Sequence, residues 1–176
     1  GGNIVYSWNN SRYTSYQLRP LDLSIINVSY IAPSFVDDLQ DMTPYLKSSY
    51  ESQFIPAIGG TYIYSNPKRS HCNTPTIRFN AETAGNLTGG LSALFMEKSE
   101  IKIDDSGASD YAYKPFGIRF SQYFRLDGSF ANGITLGEKS SFAYRVFAGI
   151  GLPYGNSTAL PFDRQFYAGG INSMRG

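Results

Sequence analysis

The stretch that decides the fold is Phe142-Ala-Tyr144-Arg145-Val146-Phe-Ala148-Gly-Ile150-Gly-Leu152 and the loop it enters, Pro153-Tyr-Gly-Asn-Ser-Thr-Ala-Leu160-Pro161-Phe162-Asp-Arg-Gln-Phe166-Tyr167-Ala-Gly169-Gly170-Ile-Asn172-Ser173-Met-Arg175-Gly176. Residues 142–152 alternate: Phe142, Tyr144, Val146, Ala148, Ile150 and Leu152 fall on one side, and Arg145 on the other. A period of two is the mark of a strand with two different faces. The loop after it packs aromatics, then a glycine pair, then an arginine. Glycine pairs allow backbone approaches closed to other residues, so the loop reads as an ordered plug.

Working back, residues 116–134 form the longest strand candidate. Phe116, Ile118, Phe120, Phe124, Leu126 and Phe130 share one face, interrupted by Gln122; Arg119, Tyr123, Arg125 and Asp127 share the other. Gly137-Glu138-Lys139 reads as the tight turn of a hairpin with 142–152. Residues 76–84 alternate too, with Ile77, Phe79, Ala81 and Thr83 opposed to Arg78, Asn80 and Glu82. In residues 53–65, Phe54, Ile58, Tyr62 and Tyr64 share a face, and Gly59-Gly60 suggests a bend or bulge.

Nearer the start, residues 3–8 are a short strand candidate, 9–11 a turn, 13–19 ambiguous and ended by Pro20, and 21–31 a strong strand. Residues 34–52 suggest two short helices inside a loop, with Asp37 and Asp38 in a first turn and Thr43-Pro44 at a second start. Residues 85–115 read as the longest non-strand region, with a short helix over 91–98. The strand total is about six.

The bulk composition agrees. Charged residues are 16%, well below the roughly 25% of soluble domains. Aromatics are 15%, with 14 Tyr and 12 Phe, which suits strands and the aromatic rims of outer-membrane barrels. A net charge of +1 implies no general attraction to nucleic acid. No apolar run is long enough for a membrane-spanning helix, which leaves a barrel open.

Two features favour a barrel over a soluble sandwich with one polar face. The best strands exceed the roughly 9–11 residues that cross a bilayer. Connections on the final loop's side are long, and those on the other side are about ten residues or fewer. Short inner turns and long outer loops characterise bacterial barrels. The charged set Arg78, Glu82, Arg119, Arg125, Asp127 and Arg145 is then expected to face a wet lumen, because an arginine at the bilayer midplane costs about 2–4 kcal/mol.

The loop string itself, Pro161-Phe162, then Phe166-Tyr167-Ala168-Gly169-Gly170, then Ser173-Met174-Arg175-Gly176, resembles the lumen loop of the BamA–TamA superfamily of outer-membrane assembly barrels, also called bacterial surface antigens. Residues 121–125 look like the preceding strand of TamA-like members. The resemblance is densest over 141–176, and before residue 76 it is one of general style. It implies an all-β antiparallel meander, the middle part of a sixteen-stranded transmembrane barrel, with no periplasmic POTRA domain in residues 1–176. It implies a motif of Pro161, Phe162, Phe166, Gly169, Gly170, Ser173, Arg175 and Gly176, with Arg175 as the arginine that pairs with acids on later strands. Those strands lie beyond the chain, so the pair itself is not expected to form here.

Implied partners are outer-membrane lipid, the rest of the barrel with its POTRA domains, and unfolded outer-membrane protein substrates. Nucleic acid is not among them, and free sheet edges suggest edge-to-edge self-association of the six strands. The implied location is the bacterial outer membrane, and the implied work is insertion of outer-membrane proteins or translocation of substrates. No enzyme, cofactor or metal is expected. His71 and Cys72 are adjacent in a turn and unsuited to converge as a nucleophile pair. Asp104-Asp105 and Asp37-Asp38 lack calcium-loop spacing. The alternatives are the barrel of a patatin-type lipase fusion and a self-contained barrel that binds a small apolar ligand.

Overall fold

A computed structural model describes residues 1–27, 52–66, 73–95, 99–102, 109–114, 117–137 and 139–166. In chain order the elements are β1 (Gly2–Ser11), β2 (Thr14–Ile26), β3 (Gln53–Ser65), β4 (Thr76–Ala84), helix α1 (Asn86–Phe95), the short strands β5 (Ser99–Lys102), β6 (Ser109–Ala112) and β7 (Arg119–Phe120), then β8 (Tyr123–Gly137) and β9 (Ser140–Pro153). The six long strands form an antiparallel meander in the order β1-β2-β3-β4-β8-β9. The sheet is open, with β1 and β9 at its edges, so the class is all-β and the arrangement is that of a partial barrel.

The alternation seen in the sequence is carried across the sheet by register. Glu82 pairs with Arg125, Asn80 with Asp127 and Arg78 with Ser129. Asp127 pairs with Gly149, Ser129 with Phe147 and Ala131 with Arg145. Paired residues share a face, so polar and charged side chains line one face. The other face carries Ile58, Ile77, Phe79, Phe124, Val146, Ile150 and Leu152, all exposed. We call this the bare face.

Near the short turns the bare face carries an aromatic band. Tyr6, Trp8, Tyr16 and Tyr62 form a chain of ring contacts across three strands, with centroids 5.3 to 5.4 Å apart. Phe130, Tyr144 and Phe142 form another across β8 and β9. Aromatic pairs on one face are a main stabilising unit of a sheet.

Several sequence expectations change. The ambiguous stretch and the strong strand are one strand, β2, which runs through Pro20. Pro20 survives because the ladders shift there, between Arg19 and Asp22 toward β3 and between Ile4 and Tyr6 in β1. A bulge leaves a backbone position unpaired, which suits a residue without an N–H. Asn9 and Ser11 are strand residues, and the turn is at Arg12 and Tyr13. Gly59-Gly60 makes no bulge toward β4. Instead a Cβ on Gly59 would stand 2.9 Å from Arg19 Nη2, so the missing side chain makes room for an arginine.

The long strand expected over 116–134 is broken. β8 starts at Tyr123, and Arg119–Phe120 pairs parallel to Gln53 and Phe54 of β3. Phe120 is therefore buried and does not join the apolar bare face. Ser121 fixes the break: its N–H donates to the Phe54 carbonyl at 2.9 Å and its hydroxyl to Gln53 Oε1 at 2.9 Å. Residues 85–115 contain α1 and the β5–β6 hairpin rather than mainly loop. The helix spans Asn86–Phe95, not 91–98. Gly89 and Gly90 mask its first half in the sequence, because glycine is a poor helix former. The helices expected over 34–52 lie outside the described residues.

Gly85 links β4 to α1 with φ +73°, and its N–H donates to the Pro56 carbonyl at 2.8 Å. A Cβ there would collide with the Ser121 carbonyl. Gly85→Ala is expected to destabilise the fold by more than about 1 kcal/mol. Gly90→Ala, whose Cβ meets nothing within 4 Å, is expected to stabilise it by about 0.5–1 kcal/mol. Urea unfolding of the two variants in detergent checks both signs.

Candidate functional site

The loop that follows β9 turns back and covers the polar face. Two glycines of β9 receive it. A Cβ on Gly149 would sit 2.6 Å from the Phe166 ring, and one on Gly151 would collide with Leu160. Phe166 also packs on Phe147 with centroids 5.9 Å apart, and the Arg125 guanidinium lies 4.5 Å from the Phe166 ring centroid. The alternating strand is thus glycine-poor where it faces outward and glycine-rich where the loop must dock.

Between these contacts a short 3-10 turn, Phe162–Arg164, aims Arg164 into the sheet. Its Nη1 donates to both Glu82 oxygens at 3.2 Å, and its Nη2 lies 3.5 Å from Asp22. Asp163, beside it, lies 3.3 Å from Nε. Glu82 is almost fully buried and has two further partners: Arg19 at 3.4 Å and the Tyr123 hydroxyl, which donates at 2.7 Å. Burial by itself would lower the Arg164 pKa. Attraction from Tyr123, Glu82, Asp163 and Asp22 outweighs burial and raises it, so the guanidinium stays charged.

The network continues along the sheet. Asn80 Oδ1 accepts from the Thr61 hydroxyl at 2.8 Å and from Arg19 at 3.0 Å, and its Nδ2 donates to Asp127 at 3.1 Å. Asp127 is 3.6 Å from Arg125. Strands β2, β3, β4 and β8 and the final loop are joined through one set of buried polar atoms. Beside it is a cleft of about 250 Å³ lined by Arg19, Arg78, Asn80, Glu82, Arg125, Asp127, Ser129, Arg145, Phe147 and Arg164.

Five of the six charged residues singled out in the sequence, Arg78, Glu82, Arg125, Asp127 and Arg145, therefore line a single cleft. Arg119 lies apart in β7 and donates its Nε–H to the Asn156 carbonyl at 2.7 Å. Of the loop motif, Pro161 is buried, Phe162 is exposed and Phe166 is packed as described. Gly169, Gly170, Ser173, Arg175 and Gly176 lie outside the described residues, as do His71, Cys72, Asp37, Asp38, Asp104 and Asp105. Among the described residues no cluster of His, Cys, Asp and Glu could hold a metal.

Sequence reasoning missed three residues that matter. Arg164 belongs to no periodic pattern, and its one signal is its place between Pro161-Phe162 and Phe166. In the sequence Gln122 interrupts an apolar face. It is a hub: its backbone N–H donates to the Ser157 hydroxyl at 2.7 Å, its Oε1 accepts from the Asn156 N–H at 2.7 Å, and its Nε2 donates to the Gly85 carbonyl at 3.3 Å. Asn156, which is buried, bonds Tyr113 and the Phe120 carbonyl. These two side chains tie the loop's beginning to the connection before β8.

Removing one partner from a buried ion pair strands the other charge and costs about 3–5 kcal/mol. Arg164→Ala should therefore destabilise the protein by that amount, while Glu82→Gln combined with Arg164→Met should cost less than the sum of the two single changes. Urea unfolding in detergent measures the energies, and proteolysis within 160–166 reports release of the loop. An additive double variant would show that the two side chains are not coupled.

Compared with known proteins, residues 107–176 match the Omp85 superfamily domain, a family of outer-membrane proteins. The matched stretch holds β8, β9 and the docking loop. No curated protein and no solved structure matches the chain. The likeness to this superfamily is carried by residues 107–176, the stretch that holds the hairpin and the docking loop.

Proposed function

We propose that these six strands are part of the wall of an outer-membrane β-barrel of the Omp85 kind, TamA-like in its loop, and that the barrel inserts outer-membrane proteins or passes substrates across the outer membrane. The observation that carries the reading is the separation of the two faces. Val146, Ile150 and Leu152 are each at least half exposed on the bare face, one residue from Arg145 and from the glycines that receive the loop. Water tolerates so broad an apolar surface poorly. Hydrocarbon favours it, and the charges opposite then face an aqueous interior.

Dimensions support the same reading. β3, β8 and β9 have 13, 15 and 14 residues, enough to cross a bilayer at a tilt. β1 and β2 are joined at Arg12 and Tyr13, β8 and β9 by residues 138–139, and β3 and β4 by residues 66–75. The connections at the other end are residues 27–52 and 85–122, with α1 in the second. The aromatic band lies at the short-turn end, where an inner interfacial girdle belongs.

In this reading the chain performs no chemistry of its own. It supplies wall and the loop held by Arg164. β1 and β9 pair with the rest of the barrel, POTRA domains hand over unfolded outer-membrane proteins, and the protein resides in the bacterial outer membrane. A patatin-type lipase fusion would use the same wall and differ in its neighbouring domain. A self-contained small-ligand barrel needs a closed cavity, which six strands in an open sheet do not make.

Val146→Arg is expected to destabilise the protein in lipid vesicles by about 2–4 kcal/mol, whereas Arg145→Ala, one residue away, should cost less than about 1 kcal/mol. Equal effects, or a Val146→Arg protein that is stable without detergent or lipid, would overturn the wall reading. The insertion role is tested in proteoliposomes given an unfolded outer-membrane protein. Faster folding of that substrate than in protein-free vesicles supports the role, and an unchanged rate overturns it.

A further inference from the structure

Helix α1 presents its large apolar side chains away from the protein. Its sequence, Asn86-Leu-Thr-Gly-Gly-Leu-Ser-Ala-Leu-Phe95, contains no charge. The side that packs is small and polar. Gly85, just before it, accepts from Gln122; a Cβ on Gly89 would collide with the Gln122 amide; Ser92 is buried. At 3.6 residues per turn, Leu87, Leu91, Leu94 and Phe95 fall on the opposite side, and they are 73%, 51%, 77% and 80% exposed. A helix packed on a protein in water turns its apolar stripe toward its neighbour. This one is reversed.

We propose that α1 lies in the lipid surface at the long-connection end of the sheet, with Leu87, Leu91, Leu94 and Phe95 inserted among acyl chains. The proposal rests on the wall reading above. Three observations single out lipid as the occupant. First, the stripe continues the bare face: Asn86 Nδ2 donates to the Thr83 hydroxyl at 2.8 Å, Thr83 lies on the bare side of β4, and the Tyr154 hydroxyl donates to Asn86. Second, ten residues span about 15 Å, too short to cross a bilayer and suited to lying in its interface. Third, the stripe offers no charge or hydrogen-bonding group. A protein partner would be recognised by a polar rim as well as an apolar centre, whereas lipid asks only for apolar area.

The helix would then anchor the outer end of β4. Through Gly85 and Gln122 it is tied to Asn156 and Ser157, where the final loop begins. Lipid contact and loop position are thereby linked through one glutamine side chain.

The test uses tryptophan as a depth probe. Trp8 is the only tryptophan in the chain, so Trp8→Phe gives a silent background. Leu94→Trp and, separately, Val146→Trp are added, and each protein is reconstituted into phosphatidylcholine vesicles with or without brominated acyl chains. Leu91→Trp serves if Leu94→Trp does not fold. The expected result is that brominated lipid quenches both probes, the helix probe at the depth of about 5–10 Å that an interfacial helix reaches. Quenching of the Val146→Trp probe alone would overturn the lipid-bound helix and leave the wall reading standing. Quenching of neither would overturn both.

Discussion

The fold of the polar face depends on one buried carboxylate. Glu82 sits mid-sheet with almost no access to solvent, and an isolated charge there would be prohibitive. It is stabilised by Arg19 from β2, Arg164 from the final loop and the Tyr123 hydroxyl from β8. Each partner comes from a different segment, so satisfying one charge fixes three pieces of chain against β4. The loop is held because the sheet would otherwise contain an unpaired anion.

That requirement explains small residues around it. Gly59 leaves space for Arg19 to reach across β3. Gly149 and Gly151 leave space for Phe166 and Leu160, which flank Arg164 in the loop. The cation on Arg125 stacks on Phe166 instead of competing for Glu82, and pairs with Asp127. Arg78 and Arg145 line the same cleft without a carboxylate partner among the described residues, which leaves the cleft with more positive than negative side chains. The polar face is therefore densely paired near the loop.

The bare face follows a simpler rule. Its residues need no specific partner, only a solvent that does not penalise them. The aromatic contacts across β1, β2 and β3 and across β8 and β9 hold strands laterally. They add nothing that would bury the surface against another layer of the same chain. One sheet with a polar, loop-covered side and an apolar, uncovered side is stable as a wall between two media and poorly suited to water alone.

Alternation by itself determined the faces of β3, β4, β8 and β9, because a strand's period of two is set by the backbone and survives any packing. Arg78 opposite Phe79 and Arg145 opposite Val146 could be assigned before any partner was known. Connection lengths likewise separated the two ends of the sheet. Local pattern could not show that Pro20 lies within a strand, that Phe120 is buried, or that the helix begins at Asn86. Each depends on a contact distant in sequence: the shifted ladders beside Pro20, the bonds from Ser121 to β3, and the Gln122 side chain against Gly85 and Gly89. The choice of Arg164 as the residue that enters the acidic site is of the same kind. An arginine in a loop has no period and no propensity that reveals its target. Only the folding of the chain brings it within reach of Glu82, 82 positions earlier, where the buried charge makes the contact necessary.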